Sequence, residues 1–138
     1  MASREFPAIP EVLPWVRRFI AEQATRDTYR DHVDELLVAV TEAASNAIRH
    51  SGSRTFEVTW TAGETESTVE VRDSGVFKPR IPIRELDGDQ GRGIPLILTT
   101  TEGLDLTPGT TESPGTIVRF RKVKSPRVGA GGFEPPTS

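Results

Sequence analysis

The strongest constraint in this sequence is a long amphipathic pattern over residues 28–50. Val33, Leu36, Leu37, Val40, Ala44, Ala47 and Ile48 recur there at three- and four-residue steps, the spacing of one buried helical stripe. A stripe of that length needs an apolar surface to cover it, and the chain supplies one at once. Ser51-Gly52 ends the helix, and residues 55–61 then alternate, with Phe56, Val58 and Trp60 on one side. Residues 68–72 continue the alternation with Val69 and Val71, and Gly63-Glu64 lies between as a turn signal, so the two runs read as a β-hairpin. Upstream, Val12, Trp15, Val16, Phe19 and Ile20 define a first helix over residues 11–25, entered through Pro10, Glu11 and Pro14. Residues 6–9 form a short strand ahead of it.

Residues 73–93 are rich in glycine, proline and charge and show no period. A loop of that length inside a compact domain is usually functional, and the stretch reads as a lid. Gly93-Ile94-Pro95 opens a short helix over residues 94–100, and residues 104–106 and 117–123 add two more strands. The order β-α-α-β-β-lid-α-β-β predicts an α+β fold: a two-layer sandwich in which helices cover one face of a mixed, mainly antiparallel sheet. At 138 residues the chain has room for one core, placed in residues 1–124. Residues 125–138 carry Pro126, Pro135, Pro136 and three glycines with little to bury, and are expected to be a disordered tail.

A net charge of -3 gives no electrostatic reason to expect nucleic acid or anionic lipid as a direct partner. The absence of cysteine excludes disulfides, thiolate metal sites and a cysteine nucleophile, and is compatible with a reducing compartment. Arg4, Glu5, Pro7 and Pro10 interrupt the N-terminus where an export signal needs an apolar run. The expectation is a cytoplasmic protein without a membrane span.

Three short motifs have chemistry. With Val40 set to zero and about 100 degrees per residue, Glu42 and Asn46 fall at about 200 and about 240 degrees, a shared face away from the core. One turn apart, a carboxylate and an amide oxygen can converge on one ion or water, although such a pair alone is ordinary helix surface. Asp73-Ser74-Gly75 follows a strand directly, so an acceptor-only carboxylate stands at a strand end beside a glycine that admits a flat ligand; an adenine amine is a fitting donor. Gly91-Arg92-Gly93 precedes a helix, where unpaired N–H groups and the helix dipole attract phosphate. It lacks the lysine of a P-loop and the fuller dinucleotide signature. His32 and His50 are too few and too far apart for a metal site and read as surface or helix-end residues, and no Ser-His-Asp arrangement can be assembled.

In order along the chain, Glu42-Ala43-Ala44-Ser45-Asn46-Ala47-Ile48-Arg49-His50, Asp73-Ser74-Gly75, Gly91-Arg92-Gly93-Ile94-Pro95-Leu96-Ile97 and Gly115-Thr116 resemble the successive boxes of the GHKL (histidine-kinase-like) ATPase superfamily. The short length and the Ser-Asn-Ala-Ile-Arg-His stretch resemble its anti-sigma-factor serine kinases, over roughly residues 6–123. The resemblance implies that Asn46 ligates Mg²⁺ of a bound ATP, that Glu42 is the catalytic general base, and that Asp73 binds the adenine amine. It implies further that Gly75 lines the base pocket, that Gly91 and Gly93 approach the phosphates, that residues 74–90 close as the lid, and that Thr116 supports the adenine end. The implied activity is transfer of the γ-phosphoryl group to a serine of an anti-anti-sigma factor, with a sigma factor as the alternative partner and homodimerisation as a further expectation. Some relatives carry a basic residue just before the first lid glycine, where this chain has Asp87, Asp89 and Gln90; Arg92 or Arg84 is the available substitute.

Overall fold

The helical stripe and the alternating strands meet as two layers of a sandwich. A computed structural model describes residues 1–50, 52–75, 100–108, 110–112 and 115–124. Strand β1 spans Ala2–Pro7, and a 3-10 turn at Pro10–Val12 leads into helix α1, Leu13–Arg26. A second 3-10 turn, Arg30–His32, opens helix α2, Val33–His50. Then come the hairpin of β2, Thr55–Ala62, and β3, Glu66–Asp73, followed by β4, Gly103–Thr107, and β5, Ile117–Val123. The sheet order is β1-β2-β3-β5-β4. All four ladders are antiparallel, so among the described strands the sheet is not mixed as expected. Of the expected helix at residues 94–100 only Thr100 is described, and the expected tail at residues 125–138 lies outside the described residues.

Both helices pack on one sheet face. Phe6, Phe56, Val58, Trp60, Val69, Val71, Val118 and Phe120 point inward from the strands and are buried against α1 and α2. Full burial of a side chain as large as Trp60 or Phe56 contributes about 1.5–3 kcal/mol, so this layer contact carries the fold. The stripe of α2 is wider than its sequence pattern suggested. Ala39 and Ala43 are buried as well as Leu36, Val40, Ala44 and Ala47.

Trp15 departs from expectation. It is 59% exposed, while Val12, Val16, Phe19 and Ile20 are buried. One residue from Val16, it lies about 100 degrees around the helix from the centre of the buried arc, and the Arg18 guanidinium covers its ring at 5.8 Å. The first strand also begins earlier than expected. Its central Arg4 and Glu5 hide the alternation, but the register pairs Ala2 through Pro7 with Trp60 through Thr55.

Where α1 hands over to α2, the chain ends its first helix with Thr28 in the left-handed region at φ 67°. The Tyr29 N–H donates to the Ala24 carbonyl at 2.7 Å, closing a Schellman-type cap that a glycine would form with less strain. Tyr29 itself is buried, edge-on to Trp60 with ring centroids 5.6 Å apart, and its hydroxyl donates to the Gly63 carbonyl at 3.0 Å. The Trp60 indole N–H donates to Asp27 Oδ2 at 2.7 Å. His32, read from sequence as a surface or helix-end residue, starts the helix but is buried, with Nδ1 3.5 Å from Glu35.

This end of the sandwich also buries a cation. Lys122 follows Val118 and Phe120 on the inward side of β5 and is 5% exposed. Its ammonium lies 2.6 Å from Glu35 on α2 and 3.4 Å from Glu102, and donates to the Thr100 carbonyl at 3.1 Å. The hydrogen bond from Lys122 holds the Glu35 carboxyl below the usual glutamate range.

The opposite face of the sheet carries no helix among the described residues. Ser3, Glu57, Thr59, Thr68, Glu70, Arg72 and Arg119 line a shallow open depression of about 560 Å³ there. Glu70 is bracketed by Arg119 at 2.9 Å and Arg72 at 3.1 Å. Partial burial pushes its carboxyl up, but the hydrogen bonds from the two arginines outweigh that and hold it below the ordinary range.

Candidate functional site

The antiparallel hairpin decides which motifs share an end of the molecule. β2 begins just after α2 finishes, and Phe56 at the start of β2 pairs with Asp73 at the finish of β3. The C-terminal turns of α2, which carry Glu42 and Asn46, therefore lie over the same sheet end as Asp73. Thr116, just ahead of β5, is at that end too, because Arg72 pairs with Ile117. The structure thus joins Asp73, Gly75 and Thr116 by hydrogen bonds, and the C-terminal half of α2, with Glu42 and Asn46, finishes at the same sheet end. Gly91, Arg92 and Gly93 lie outside the described residues, as do Arg84, Asp87, Asp89, Gln90 and residues 76–90 of the expected lid.

Asp73 is the centre of the group. It occupies an inward position of β3, and it is 8% exposed. Its Oδ1 accepts the Gly75 N–H at 2.8 Å, an Asx-type turn that bends the chain off the strand. The Thr116 N–H also donates to the carboxylate, while the Asp73 N–H donates to the Thr116 carbonyl at 3.0 Å. Burial pushes the Asp73 carboxyl above the usual aspartate range, and the two backbone donors offset only part of that shift. Among the described residues no cation pairs with it. A buried carboxylate in this state retains lone pairs for a ligand donor and gains from receiving one.

Backbone bonds brace the turn from the β5 side. The Gly115 N–H donates to the Gly75 carbonyl at 2.9 Å. Gly115 takes φ 124°, a conformation that disfavours any side chain, and a Cβ there would meet the Asp73 carbonyl at 3.5 Å. From the β2 side the brace is a side chain. Ser53 Oγ accepts the Ser74 N–H at 2.8 Å and lies 3.2 Å from Ser74 Oγ. Sequence reading passed over Ser53, a small polar residue in a connection, because its role depends on the hairpin register.

Glu42 and Asn46 are half-buried, not fully on the solvent side as their helical angles suggested. Asn46 is about 20 degrees from Ala39 around the helix, so the wider buried arc reaches its border. Both offer hard oxygen atoms one turn apart, the donor chemistry that magnesium takes when most of its shell comes from water and phosphate. Lys122 was not among the expected site residues, and the structure puts it at the other end of the sheet, where Ser67 pairs with it across the ladder.

Among the described residues no helix is long and apolar enough to cross a membrane. Comparison with curated proteins gives no match. Among solved structures the chain is similar to the histidine kinase domain of a blue-light activated histidine kinase from Erythrobacter litoralis, with 17% identity and a TM-score of 0.55. That likeness covers 86% of this chain and 62% of the other, so the chain spans less than two thirds of that domain's length. It is also similar to the Acinetobacter baumannii histidine kinase AdeS, at 10% identity and a TM-score of 0.52, over 91% of this chain and 69% of the other. The catalytic domain of histidine kinase ThkA matches at 19% identity and a TM-score of 0.51, over 91% of this chain and 99% of the other. These likenesses are of fold: two helices on one face of an antiparallel sheet. The model of one family, described as the histidine kinase-like ATPase domain, matches residues 6–122, nearly the whole of the described sandwich, and the chain belongs to that family.

Proposed function

We propose that this chain binds Mg-ATP at the sheet end defined by Asp73 and transfers the γ-phosphoryl group to a serine of a protein partner. The observation that carries the nucleotide reading is the buried Asp73, which no cation among the described residues pairs with and which backbone donors hold at the end of the sheet that α2 overhangs. An ionised carboxylate accepts and does not donate, so it suits the adenine amine and opposes the carbonyl edge of guanine. Gly75 and Thr116 flank the base, and Gly91, Arg92 and Gly93 supply phosphate contacts.

The residues also fit the metal: Asn46 offers an amide oxygen, and Glu42 a carboxylate one turn away. Bound magnesium neutralises charge on the phosphates during transfer. Glu42 accepts the proton of the attacking serine hydroxyl, and Asn46 holds the metal-bound end of the triphosphate in place. In this reading the partner is an anti-anti-sigma factor, and its phosphorylation frees the chain to hold a sigma factor instead. The work is cytoplasmic and involves no direct contact with nucleic acid. The support for the serine-kinase assignment is the run of motifs in this sequence, read on the family's fold.

The test is a transfer assay with purified protein, Mg-ATP and co-encoded small proteins carrying candidate serines. Acid-stable labelled phosphate on the partner, lost in Glu42→Ala, is the expected result. Acid-labile phosphate would assign a histidine acceptor instead. Tight ATP binding without transfer would leave a nucleotide-responsive interaction module.

A further inference from the structure

Asp73-Ser74-Gly75 must hold one position relative to α2 if a single ligand is to reach both. Backbone bonds from Gly115 and Thr116 fix the turn to β5. On the α2 side the β2–β3 ladder stops at Phe56 and Asp73, so the next amide, that of Ser74, has left the sheet. Its N–H is taken by the Ser53 hydroxyl at 2.8 Å, with the Ser74 hydroxyl 3.2 Å away. Ser53 belongs to the short connection between α2 and β2, which makes this bond a direct link from the end of the helix to the turn.

We infer that Ser53 is a positioning residue for nucleotide recognition: its hydroxyl sets the distance between the base-reading carboxylate of Asp73 and the phosphate-facing helix of Glu42 and Asn46. The inference rests on the proposed nucleotide site and names a determinant within it. Its physical basis is preorganisation. A small displacement of a binding group from its working geometry forfeits much of its contribution, and groups held by neighbouring hydrogen bonds avoid that loss. The ties to β5 are two main-chain bonds and the Thr116 N–H on the Asp73 carboxylate, whereas the tie toward α2 depends on the Ser53 side-chain oxygen. Ser53 touches neither base nor phosphate in this scheme and acts only through Ser74.

Such a role predicts a loss confined to the base. In Ser53→Ala, ATP affinity measured by calorimetry should fall about fivefold, the weight of one hydrogen bond. Affinity for GTP, bound through its triphosphate without the Asp73 contact, should stay within about twofold, so the ATP-to-GTP preference shrinks. Ser53→Thr keeps the hydroxyl and should restore the preference. Amide exchange at Ser74 without nucleotide should quicken in the alanine variant and not in the threonine variant. Equal losses for both nucleotides, or an unchanged preference with unchanged exchange, would overturn the positioning role. A wild-type protein that binds no ATP would overturn the nucleotide site and this inference with it, an outcome distinct from a binder indifferent to Ser53.

Discussion

At one end of the sandwich Lys122 is buried against two part-exposed counter-charges, Glu35 and Glu102, whereas at the other Asp73 is buried and, among the described residues, its carboxylate meets backbone donors and no cation. The first arrangement is closed: each charge is answered within the fold, and α2, β5 and the segment before β4 are tied together. The second is open, because desolvation of the carboxylate is only partly offset and a ligand donor would complete it. Both look alike in a list of buried polar residues. Whether the counter-charge is present separates a structural charge from one poised for binding.

The sharpest way to break the comparison is Asp73→Asn. ATP affinity should fall about 10- to 100-fold, as expected for losing a charged hydrogen bond, while the nucleotide-free protein stays as stable as wild type or gains at neutral pH. The sign follows from the raised folded-state pKa. The Asp73 share of stability is complete below the unfolded value, about 3.9, and is lost as pH rises through the higher folded value. Thermal unfolding from pH 3 to 7 should therefore show the asparagine variant gaining on wild type as pH rises. A variant that lost stability at neutral pH and kept ATP would reverse the roles of the two ends.

Lys122→Met should do the opposite, lowering stability by about 1–2 kcal/mol with ATP affinity within about twofold. The cost is moderate because Glu35 and Glu102 are part-exposed and can turn to water. Here the pH dependence has the other sign. Glu35 has its pKa lowered, so its contribution is present above about 4.3 and lost as pH falls through the lower folded value; the methionine variant should lack that acid-side loss. Urea titrations at pH 7 and pH 4 measure both effects. The smallest change expected is a gain: Thr28→Gly should add about 0.5–1 kcal/mol by relieving the left-handed threonine, with no change in ATP binding.

Much of this was legible from residue patterns, and the exceptions share a cause. Strand β5 was read at residues 117–123, as found, because Val118 and Phe120 alternate plainly with Ile117 and Arg119. The hairpin was read nearly to its ends for the same reason, and the long helix to its C-terminal end, but α2 starts at Val33 and not at residue 28, because Thr28 takes the left-handed conformation that ends α1. The strand pairing puts Asp73 and Thr116 at the sheet end where α2 finishes. Lys122 was missed although its inward parity with Val118 and Phe120 was available, since lysine is ordinarily taken for solvent-facing and its partners on α2 and at Glu102 are remote in sequence. Ser53 gave no local signal at all, for its importance arises only where the ladder ends. Trp15 misled through size: a large aromatic near a stripe need not belong to it.

Among the described strands β1 forms one rim of the sheet, with no described strand paired to its outer backbone groups. A duplicate chain docking there as one continuous antiparallel sheet, with both helical layers on the same side, must match residues of equal parity. The longest such alignments set Arg4 opposite Arg4 or Glu5 opposite Glu5. Like charges directly opposite each other would thus oppose a seam of this kind.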